Sequence, residues 1–431
     1  AVLFPPRPEG PETRKADGLW ASRYDTLDLW RALVAIGIVL HHAGHVSFGM
    51  NTGRVTLFFV ISGYCIAASA ESCLRRGMTA GEFFWRRLRR IYPPFLLAVL
   101  FWIGTRLIKI WRGGPNDLLY RLDGTPRTVT EWILNLTSTQ WVWTVGSPVE
   151  RPGDNPILFV AAYWSLGYEE QFYLIVSVMF GISLLVPWCR LRWMIPALVP
   201  IALAYGMSLP QHVRGIFIEF WTAFSVGACV YYRLSVFKDR RWRMAVDAAL
   251  LALIAMGLMG LWFDTRIGAE IDRSKWHEWL IAGGFGLALV VLRPWDRWIN
   301  QRLISVPLRA IGRITYSLFL IHQFNLKLIE SIANKLLSFI GHGRLADIST
   351  QVIHQCDPAF VAPADPQTHP WVATISLAVQ LVLHIGLAVV FWRFCEYPFL
   401  NRADDGPPPA VRTGVSGIAS GPVQSPNQPA G

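Results

Sequence analysis

Charged side chains are scarce in this sequence of 431 residues. They make up 16% of the chain, against roughly 25% in an average soluble protein. Hydrophobic residues make up 53%, and the mean hydropathy is +0.35. So few charges cannot cover the surfaces of several soluble domains. The composition therefore excludes an ordinary soluble protein and favours an integral membrane protein, in which Trp and Tyr gather at the lipid boundary.

The sequence also lacks a cysteine framework, an internal repeat and an N-terminal signal peptide. Its 6 cysteines form no CxxC pair or disulfide pattern, so we expect no metal site. The absence of a repeat argues against a transporter built from duplicated halves. Residues 1–26 contain no apolar segment typical of a cleaved signal. We therefore expect the first apolar run to remain in the protein as a helix.

Ten apolar runs are long enough to cross about 30 Å of hydrocarbon as helices. They lie near residues 28–48, 55–73, 91–110, 159–187, 193–209, 214–233, 244–263, 277–293, 313–333 and 371–395. The predicted fold class is all-α, a polytopic membrane helix bundle of about ten transmembrane helices over residues 27–400. It is flanked by tails at 1–26 and 401–431, the second of them disordered. The Thr-rich segment Trp132–Val145 is too short to cross and is predicted to be re-entrant or interfacial.

The positions of the positive charges predict the orientation. Lys and Arg number 40 against 29 Asp and Glu, and most of them lie in short loops on the side of the N-terminus. This distribution is typical of cytoplasmic loops and not of a nucleic-acid surface, so we expect no nucleic-acid partner. Both termini are predicted to be cytoplasmic, with the loops near 111–158 and 334–370 outside. The expected location is the bacterial inner membrane.

The first predicted helix carries several ionisable groups, each of which costs roughly 2.5–3.5 kcal/mol at membrane depth. Arg31 and His42 are 11 residues apart, and a helix turns through about three full circles and a further 20° over that spacing. They therefore share one face, roughly 16 Å apart along the axis, whereas His41 points elsewhere. A hydrogen-bonded core histidine and a functional histidine explain this pattern equally well.

Adjacent carboxylates lie in the segment Trp164–Tyr173, near the outer end of the fourth predicted helix. Glu169 and Glu170 can orient a histidine or accept a proton, and one of them can equally be solvated at the membrane interface. A further histidine, His322, lies in the ninth predicted helix. These features fit both an enzyme and a proton-coupled transporter.

A basic cluster, Arg86–Arg90, precedes the third apolar run on the predicted cytoplasmic side. The planar guanidinium group suits phosphate, which it binds through paired hydrogen bonds. Such a cluster also sets topology or contacts lipid headgroups, and charge alone favours that second interpretation. The residue types in this cluster therefore do not choose a reaction.

Five segments taken together resemble the acyltransferase-3 family of membrane O-acyltransferases. In order, they are Arg31 with His42, Phe58–Tyr64, Arg87–Pro93, Trp164–Tyr173 and Tyr316–His322. The resemblance covers about residues 24–333 and continues weakly to 395. It implies transfer of an acyl group, most often acetyl, from cytoplasmic acyl-CoA to a hydroxyl of a carbohydrate or glycolipid acceptor such as lipopolysaccharide or exopolysaccharide. A proton-coupled transporter or flippase of a glycolipid or acylated small molecule is the alternative.

The resemblance also implies roles for individual residues. His42 is the expected base, or else the group that holds the acyl chain, and Glu169 or Glu170 is expected to orient it or to bind the acceptor. The expected contacts to acyl-CoA, a co-substrate and not a permanently bound cofactor, come from Arg31, Arg86, Arg87 and Arg90. The expected contacts to the acceptor come from Trp164, Gln171, Tyr173, Tyr316, Ser317 and His322. The oligomeric state and the identity of the acceptor stay open.

Overall fold

The structure is a computed structural model, and it describes residues 24–43, 51–112, 128–140, 160–186, 188–208, 215–267, 273–323, 325–326, 328–329, 332–333 and 370–400. Within these ranges the chain is helical and contains no strand, which confirms the predicted all-α class. The helices are α1 (Leu27–His42), α2 (Asn51–Arg75), α3 (Ala80–Arg112), α4 (Val129–Leu136), α5 (Trp164–Leu185), α6 (Leu191–Ala197), α7 (Val199–Ser208), α8 (Trp221–Ser235), α9 (Arg240–Ile267), α10 (Arg273–Leu292), α11 (Asp296–Asn300), α12 (Ser305–Arg313), α13 (Thr315–Ile321) and α14 (Pro370–Phe391). They belong to one compact unit.

Five stretches of the described chain are long and apolar enough to cross a membrane. These are Gly53–Arg75, Ala80–Ile108, Arg240–Phe263, Lys275–Asn300 and Leu377–Phe399. The other five predicted spans coincide with helices that are shorter or more polar, including α1, α5 and α8. The protein is therefore a multi-pass membrane protein, while the number ten and the orientation stay predictions.

The structure corrects the boundary of the third helix. The sequence predicted that Arg86–Arg90 would lie in a loop ahead of it, whereas α3 begins at Ala80 and includes the whole cluster. Its first turn is capped by Thr79, whose backbone N–H and hydroxyl both bond to Glu82. Pro93 and Pro94 lie inside the helix. The arginines are therefore fixed on a helical surface.

The structure describes only part of the segment predicted to be re-entrant or interfacial, Trp132–Val145. Val129–Leu136 forms the short helix α4, closed at its start by reciprocal hydrogen bonds between Thr128 and Glu131. The chain then turns at Ser138, which has a positive φ of 54°. The second part of the predicted segment, 141–145, lies outside the described residues. A short capped helix agrees with the prediction that this segment does not cross the membrane.

Helices α2 and α8 pack backbone to backbone, and two glycines permit it. A Cβ added to Gly63 would lie 1.9 Å from the carbonyl oxygen of Phe224. A Cβ added to Gly227 would lie 1.8 Å from the carbonyl oxygen of Val60. Small residues that allow such close approach are typical of membrane helix pairs. The glycine of the Ser-Gly pair in the Phe58–Tyr64 segment is therefore needed for this close helix packing.

We expect the substitution Gly227→Ala to destabilise the protein by about 1–3 kcal/mol or more, because a methyl group there forces two backbones apart. The matched control is Gly284→Ala on α10, where an added Cβ meets nothing within 4 Å. Thermal unfolding of both variants in detergent measures the difference. Equal melting temperatures for the two variants would contradict the close packing of α2 on α8.

The start of α1 is anchored by a buried carboxylate. Asp296, at the beginning of α11, accepts hydrogen bonds from the backbone N–H groups of Asp25 at 2.7 Å and Thr26 at 2.9 Å, and from the Thr26 hydroxyl at 2.7 Å. Its charge is balanced by Arg293 at 2.6 Å. Gly312 of α12 packs directly against the first turn of α1. These contacts fix the position of the helix that carries Arg31 and His42.

Candidate functional site

Two histidines from different helices meet inside the bundle. His42 is the last residue of α1, and its ring lies 5.1 Å from that of His322, which follows α13. His322 is fully buried, and its Nδ1 lies 2.7 Å from the carbonyl oxygen of Phe319. A carbonyl oxygen only accepts, so Nδ1 carries the proton and Nε2 of the neutral ring is an acceptor. The structure therefore brings together two histidines that are 280 residues apart in the sequence.

Arg31 lies about three turns before His42 on α1. Its guanidinium group donates to Asp28 at 3.1 Å and to the Cys65 sulfur of α2 at 2.9 Å. His42 is within electrostatic reach of Arg54, near the start of α2. Helices α1 and α2 are therefore antiparallel, and both predicted residues of α1 face other parts of the bundle.

Glu169 is held by two hydroxyl groups. Its Oε1 accepts hydrogen bonds from Ser62 of α2 at 2.8 Å and from Tyr173, one turn along α5, at 2.5 Å. Arg31 is within electrostatic reach. Among the described residues, no hydrogen bond joins this carboxylate to His42. Glu169 therefore lies near Arg31, and its role in orienting His42 stays a prediction.

Glu170 points to a different part of the bundle. Its carboxylate lies beside the hydroxyl of Tyr92 on α3, and that hydroxyl donates to the carbonyl oxygen of Thr137 at 2.8 Å. The Oε1 atom of Glu170 is buried and has no hydrogen-bond partner in the described part of the chain. The two adjacent glutamates therefore face different surroundings, which the sequence did not distinguish.

The basic cluster lies close to the polar residues of α5. Arg87 stacks on Phe83, with its guanidinium carbon 5.6 Å from the ring centroid. Both Arg87 and Arg90 are within electrostatic reach of Tyr173. Both are half-buried, as is Arg86, whereas Arg89 is exposed. The arginines assigned to acyl-CoA thus line the same interior region as Glu169.

A buried carboxylate that the sequence analysis missed completes this region. Glu396, in the single π-helical turn Trp392–Glu396 after α14, is 2% exposed. It accepts hydrogen bonds from the Ser317 backbone N–H at 3.1 Å and from its hydroxyl at 2.5 Å. Arg31 and Arg90 are within electrostatic reach of it. Ser317 is therefore engaged by protein, and Glu396 supplies negative charge beside two predicted donor-binding arginines.

Two of the predicted acceptor-binding residues contact protein backbone. Gln171 donates to the carbonyl oxygens of Gly167 at 3.2 Å and Gly215 at 2.9 Å, and accepts from the Phe217 N–H at 2.8 Å. Tyr316 donates from its hydroxyl to the Ile91 carbonyl oxygen at 2.9 Å. Their amide and hydroxyl groups hold the framework together, and acceptor binding by these residues stays a prediction.

A second charged cluster supports the start of α8. Glu219 accepts hydrogen bonds from the Tyr168 hydroxyl and from the Gly215 N–H, the second at 3.1 Å. Lys275 of α10 lies 3.9 Å from the Glu219 carboxylate and 4.7 Å from the centre of the Phe220 ring. Trp164 packs edge-on against Tyr168 at 5.7 Å and is partly exposed. No local motif marks Glu219, whose side-chain partners Tyr168 and Lys275 come from two other segments of the chain.

Polar side chains gather in two regions of an apolar bundle. In one are Arg31, Arg87 and Arg90 with the carboxylates of Glu169 and Glu396, and in the other is the histidine pair. Cations in the first region suit an anionic substrate. A neutral imidazole in the second suits proton removal from a hydroxyl. Over the described ranges, no cluster of three or more His, Cys, Asp or Glu is arranged to hold a metal ion.

Comparison with known proteins gives a consistent answer. Residues 24–393 match the acyltransferase domain of the acyltransferase-3 family. The chain is 26% identical over 331 residues to BcsY of Komagataeibacter xylinus, whose name describes a membrane-bound transacylase, and the match covers 75% of this chain and 77% of BcsY. It is also 26% identical over 324 residues to the O-acetyltransferase OatA of Staphylococcus aureus, covering 72% of this chain.

The relation to OatA is partial, because the chain spans only about half of that protein, 52% of its length. No solved structure matches the chain. The family match covers most of the sequence and includes all helices from α1 to α14. The chain therefore belongs to the acyltransferase-3 family, and it is a membrane acyltransferase.

Proposed function

We infer that the protein transfers an acyl group, acetyl in the first instance, from acyl-CoA to a hydroxyl of a carbohydrate acceptor such as lipopolysaccharide or exopolysaccharide. The observation that carries this inference is the presence of two polar regions in the bundle, one with the arginines and one with the His42–His322 pair. A CoA thioester has phosphates at one end and a reactive carbonyl at the other. The phosphates suit the region with the arginines, and the carbonyl suits the region with the histidine pair.

The chemistry assigned to His42 is general base catalysis. A sugar hydroxyl is a weak nucleophile near neutral pH, and imidazole within hydrogen-bond reach takes its proton as the oxygen attacks the thioester carbonyl. The C–S bond then breaks, and the CoA sulfur leaves as a thiol with that proton. An alternative route first moves the acyl group onto the imidazole and then onto the hydroxyl.

The donor-binding role falls to the arginines of α3. Arg87 and Arg90 carry positive charge that no salt bridge neutralises within the described part of the chain. Arginine pairs with phosphate oxygens through two parallel hydrogen bonds. Arg31 then guides the thioester end toward His42. Arg86, one turn before Arg90, extends the same surface, although it has other contacts in the protein.

The name of OatA, an O-acetyltransferase, supports acetyl as the acyl group, and that of BcsY, a transacylase, supports acyl transfer in general. The experiment compares glycans from a deletion strain with those of its parent. We expect ester-linked acetyl, released by mild alkali, to disappear from one glycan fraction in the deletion strain and to return with the plasmid-borne gene. Identical acetyl content in every glycan fraction of the two strains would contradict the proposed acceptor class.

We further propose that the protein lies in the inner membrane with both termini in the cytoplasm, as the charge distribution predicts. After replacement of the native cysteines, single cysteines are introduced by Ser72→Cys near the end of α2 and Gly343→Cys in the predicted outer loop, outside the described residues. A membrane-impermeant maleimide should label the second variant in intact cells and the first only after permeabilisation. The reverse labelling pattern would place Arg87 and Arg90 on the side that lacks acyl-CoA.

A further inference from the structure

Several buried hydrogen-bond acceptors near the histidine pair have no partner among the described residues. They are Gln140 Oε1, Glu170 Oε1, His322 Nε2 and Asn325 Oδ1, and the Ser138 hydroxyl lies in the same region, likewise unpartnered. His322 and Asn325 are 0% and 1% exposed, and Gln140 is 7% exposed. Buried polar atoms are nearly always paired, so a group of such atoms calls for a missing partner.

Hydrogen bonds connect these residues into one patch. Gln140 donates to the Tyr163 carbonyl oxygen at 3.5 Å, and the Tyr163 hydroxyl donates to the Leu320 carbonyl oxygen at 2.7 Å. The next residue back, Ala162, donates its backbone N–H to the side chain of Gln323 at 2.6 Å. The segment that ends at Gln140 is therefore bound through residues 162–163 to the segment that carries His322.

The remaining two acceptors lie beside the same segments. Asn325 donates to the Ile321 carbonyl oxygen at 2.9 Å, one residue before His322. Glu170 faces Tyr92, which is bonded to Thr137, three residues before Gln140. The patch thus spans the end of α4, the start of α5 and the end of α13, and it includes the His322 ring that touches His42.

The chemistry of the unpartnered atoms selects the kind of ligand. Gln140 and Asn325 each donate one amide N–H to a backbone carbonyl oxygen, and His322 donates its Nδ1–H in the same way. The buried atoms left without any partner are two amide oxygens, one imidazole nitrogen and one carboxyl oxygen, all of which can accept. Acceptors repel a phosphate and pair with donors. A ligand with several hydroxyl groups supplies donors in the required number.

We propose that this acceptor-rich patch of Gln140, Glu170, His322 and Asn325 is the subsite that holds the sugar ring of the acyl acceptor. The sugar hydroxyls donate to these four atoms, and the ring is thereby held next to His42. This proposal rests on the proposed acyl transfer and adds to it the residues that select a carbohydrate. Recognition of the sugar is thereby assigned in part to Gln140 and Asn325. Neither residue belongs to the motif segments of the family resemblance.

The test uses isosteric variants that remove one acceptor each, Gln140→Met and Asn325→Leu. The matched control is Asn300→Leu on α11, where the amide oxygen is also buried and without a partner in the described chain. Purified protein is assayed with acetyl-CoA and with the total glycan of the deletion strain, freed of esters by alkali and titrated by its hexose content. Asn325→Ser, which keeps an acceptor oxygen, and thermal unfolding of every variant separate recognition from misfolding.

We expect the apparent KM for the glycan to rise about three- to ten-fold in Gln140→Met and Asn325→Leu, the size of one neutral hydrogen bond. The KM for acetyl-CoA should stay unchanged, as should both constants in Asn300→Leu. An unchanged KM for the glycan in both variants would overturn the proposed subsite. Ordered water would then be the partner of these acceptor atoms. A parallel rise in the KM for acetyl-CoA would overturn the subsite as well. Absence of any transfer by the wild-type protein would instead refute the proposed function.

Discussion

Replacing His42 with alanine is expected to lower the rate of acyl transfer by about 10²- to 10⁴-fold, the usual contribution of a general base. His42 is the histidine of α1 whose ring lies against the buried His322. The amount of protein inserted in the membrane should not change, because the described structure gives His42 no hydrogen bond to another described residue. The measurement is the rate of acetyl ester formation on glycan by purified variants at equal protein concentration.

The matched control is the neighbouring histidine. His41→Ala should retain most of the activity, because a shift of one residue turns the side chain about 100° around the helix. The two rings are 5.3 Å apart, so both variants disturb the same end of α1. An inactive His41→Ala protein together with an active His42→Ala protein would show that the wrong face of α1 has been assigned to the reaction.

The second large effect is expected at the basic cluster. Arg87→Ala and Arg90→Ala should each weaken acetyl-CoA binding about ten-fold or more, because each removes a charge-assisted hydrogen bond to phosphate worth about 1.5–3 kcal/mol. Arg87→Lys and Arg90→Lys should recover only part of the affinity, since an ammonium group lacks the planar fork. Calorimetry in detergent with a non-hydrolysable acetyl-CoA analogue gives the dissociation constants.

The control for the arginine variants is Arg89→Ala. Arg89 belongs to the same helical stretch but is exposed, whereas Arg87 and Arg90 are half-buried near Tyr173. Its removal should leave the affinity for the analogue within about two-fold, as is usual for a screened surface charge. If all three alanine variants bind the analogue as the unmodified protein does, the cluster is a topology signal and the donor site lies elsewhere.

The helical architecture was predictable because long apolar runs in the sequence indicate membrane helices. The run around 55–73 became α2, and the run around 244–263 became part of α9, since a long apolar segment in a membrane satisfies its backbone only as a helix. The start of α3 was not predictable in this way. Residues 80–90 are charged and amphipathic, so a search for apolar runs treats them as a loop although they are helical.

The candidate site was only partly predictable from the sequence. Helical periodicity placed Arg31 and His42 together on one helix, and the motif segments supplied Glu169 and His322. Periodicity cannot show which helices become neighbours. The contact between His42 and His322, the bond from Ser62 to Glu169 and the buried Glu396 all join segments far apart in the chain.

Adjacent residues can also acquire different environments that no pattern reveals. Glu169 and Glu170 are neighbours in the sequence, yet one is bound by Ser62 and the other faces Tyr92. Gln171, the next residue, holds the backbone near Gly215. A helix turns about 100° per residue, so three consecutive side chains reach three different neighbours. Only the packed structure tells which of them faces a substrate.

We propose that this chain moves an acyl group from CoA to a sugar hydroxyl through His42. The most direct measurement incubates purified protein in liposomes with acetyl-CoA labelled in the acetyl group and the ester-free glycan of the deletion strain. We expect alkali-labile label on the glycan and one free CoA thiol for each acetyl transferred, and both products to form about 10²- to 10⁴-fold more slowly with His42→Ala. Intact acetyl-CoA together with movement of glycan across the liposome membrane would contradict the claim and identify a transporter.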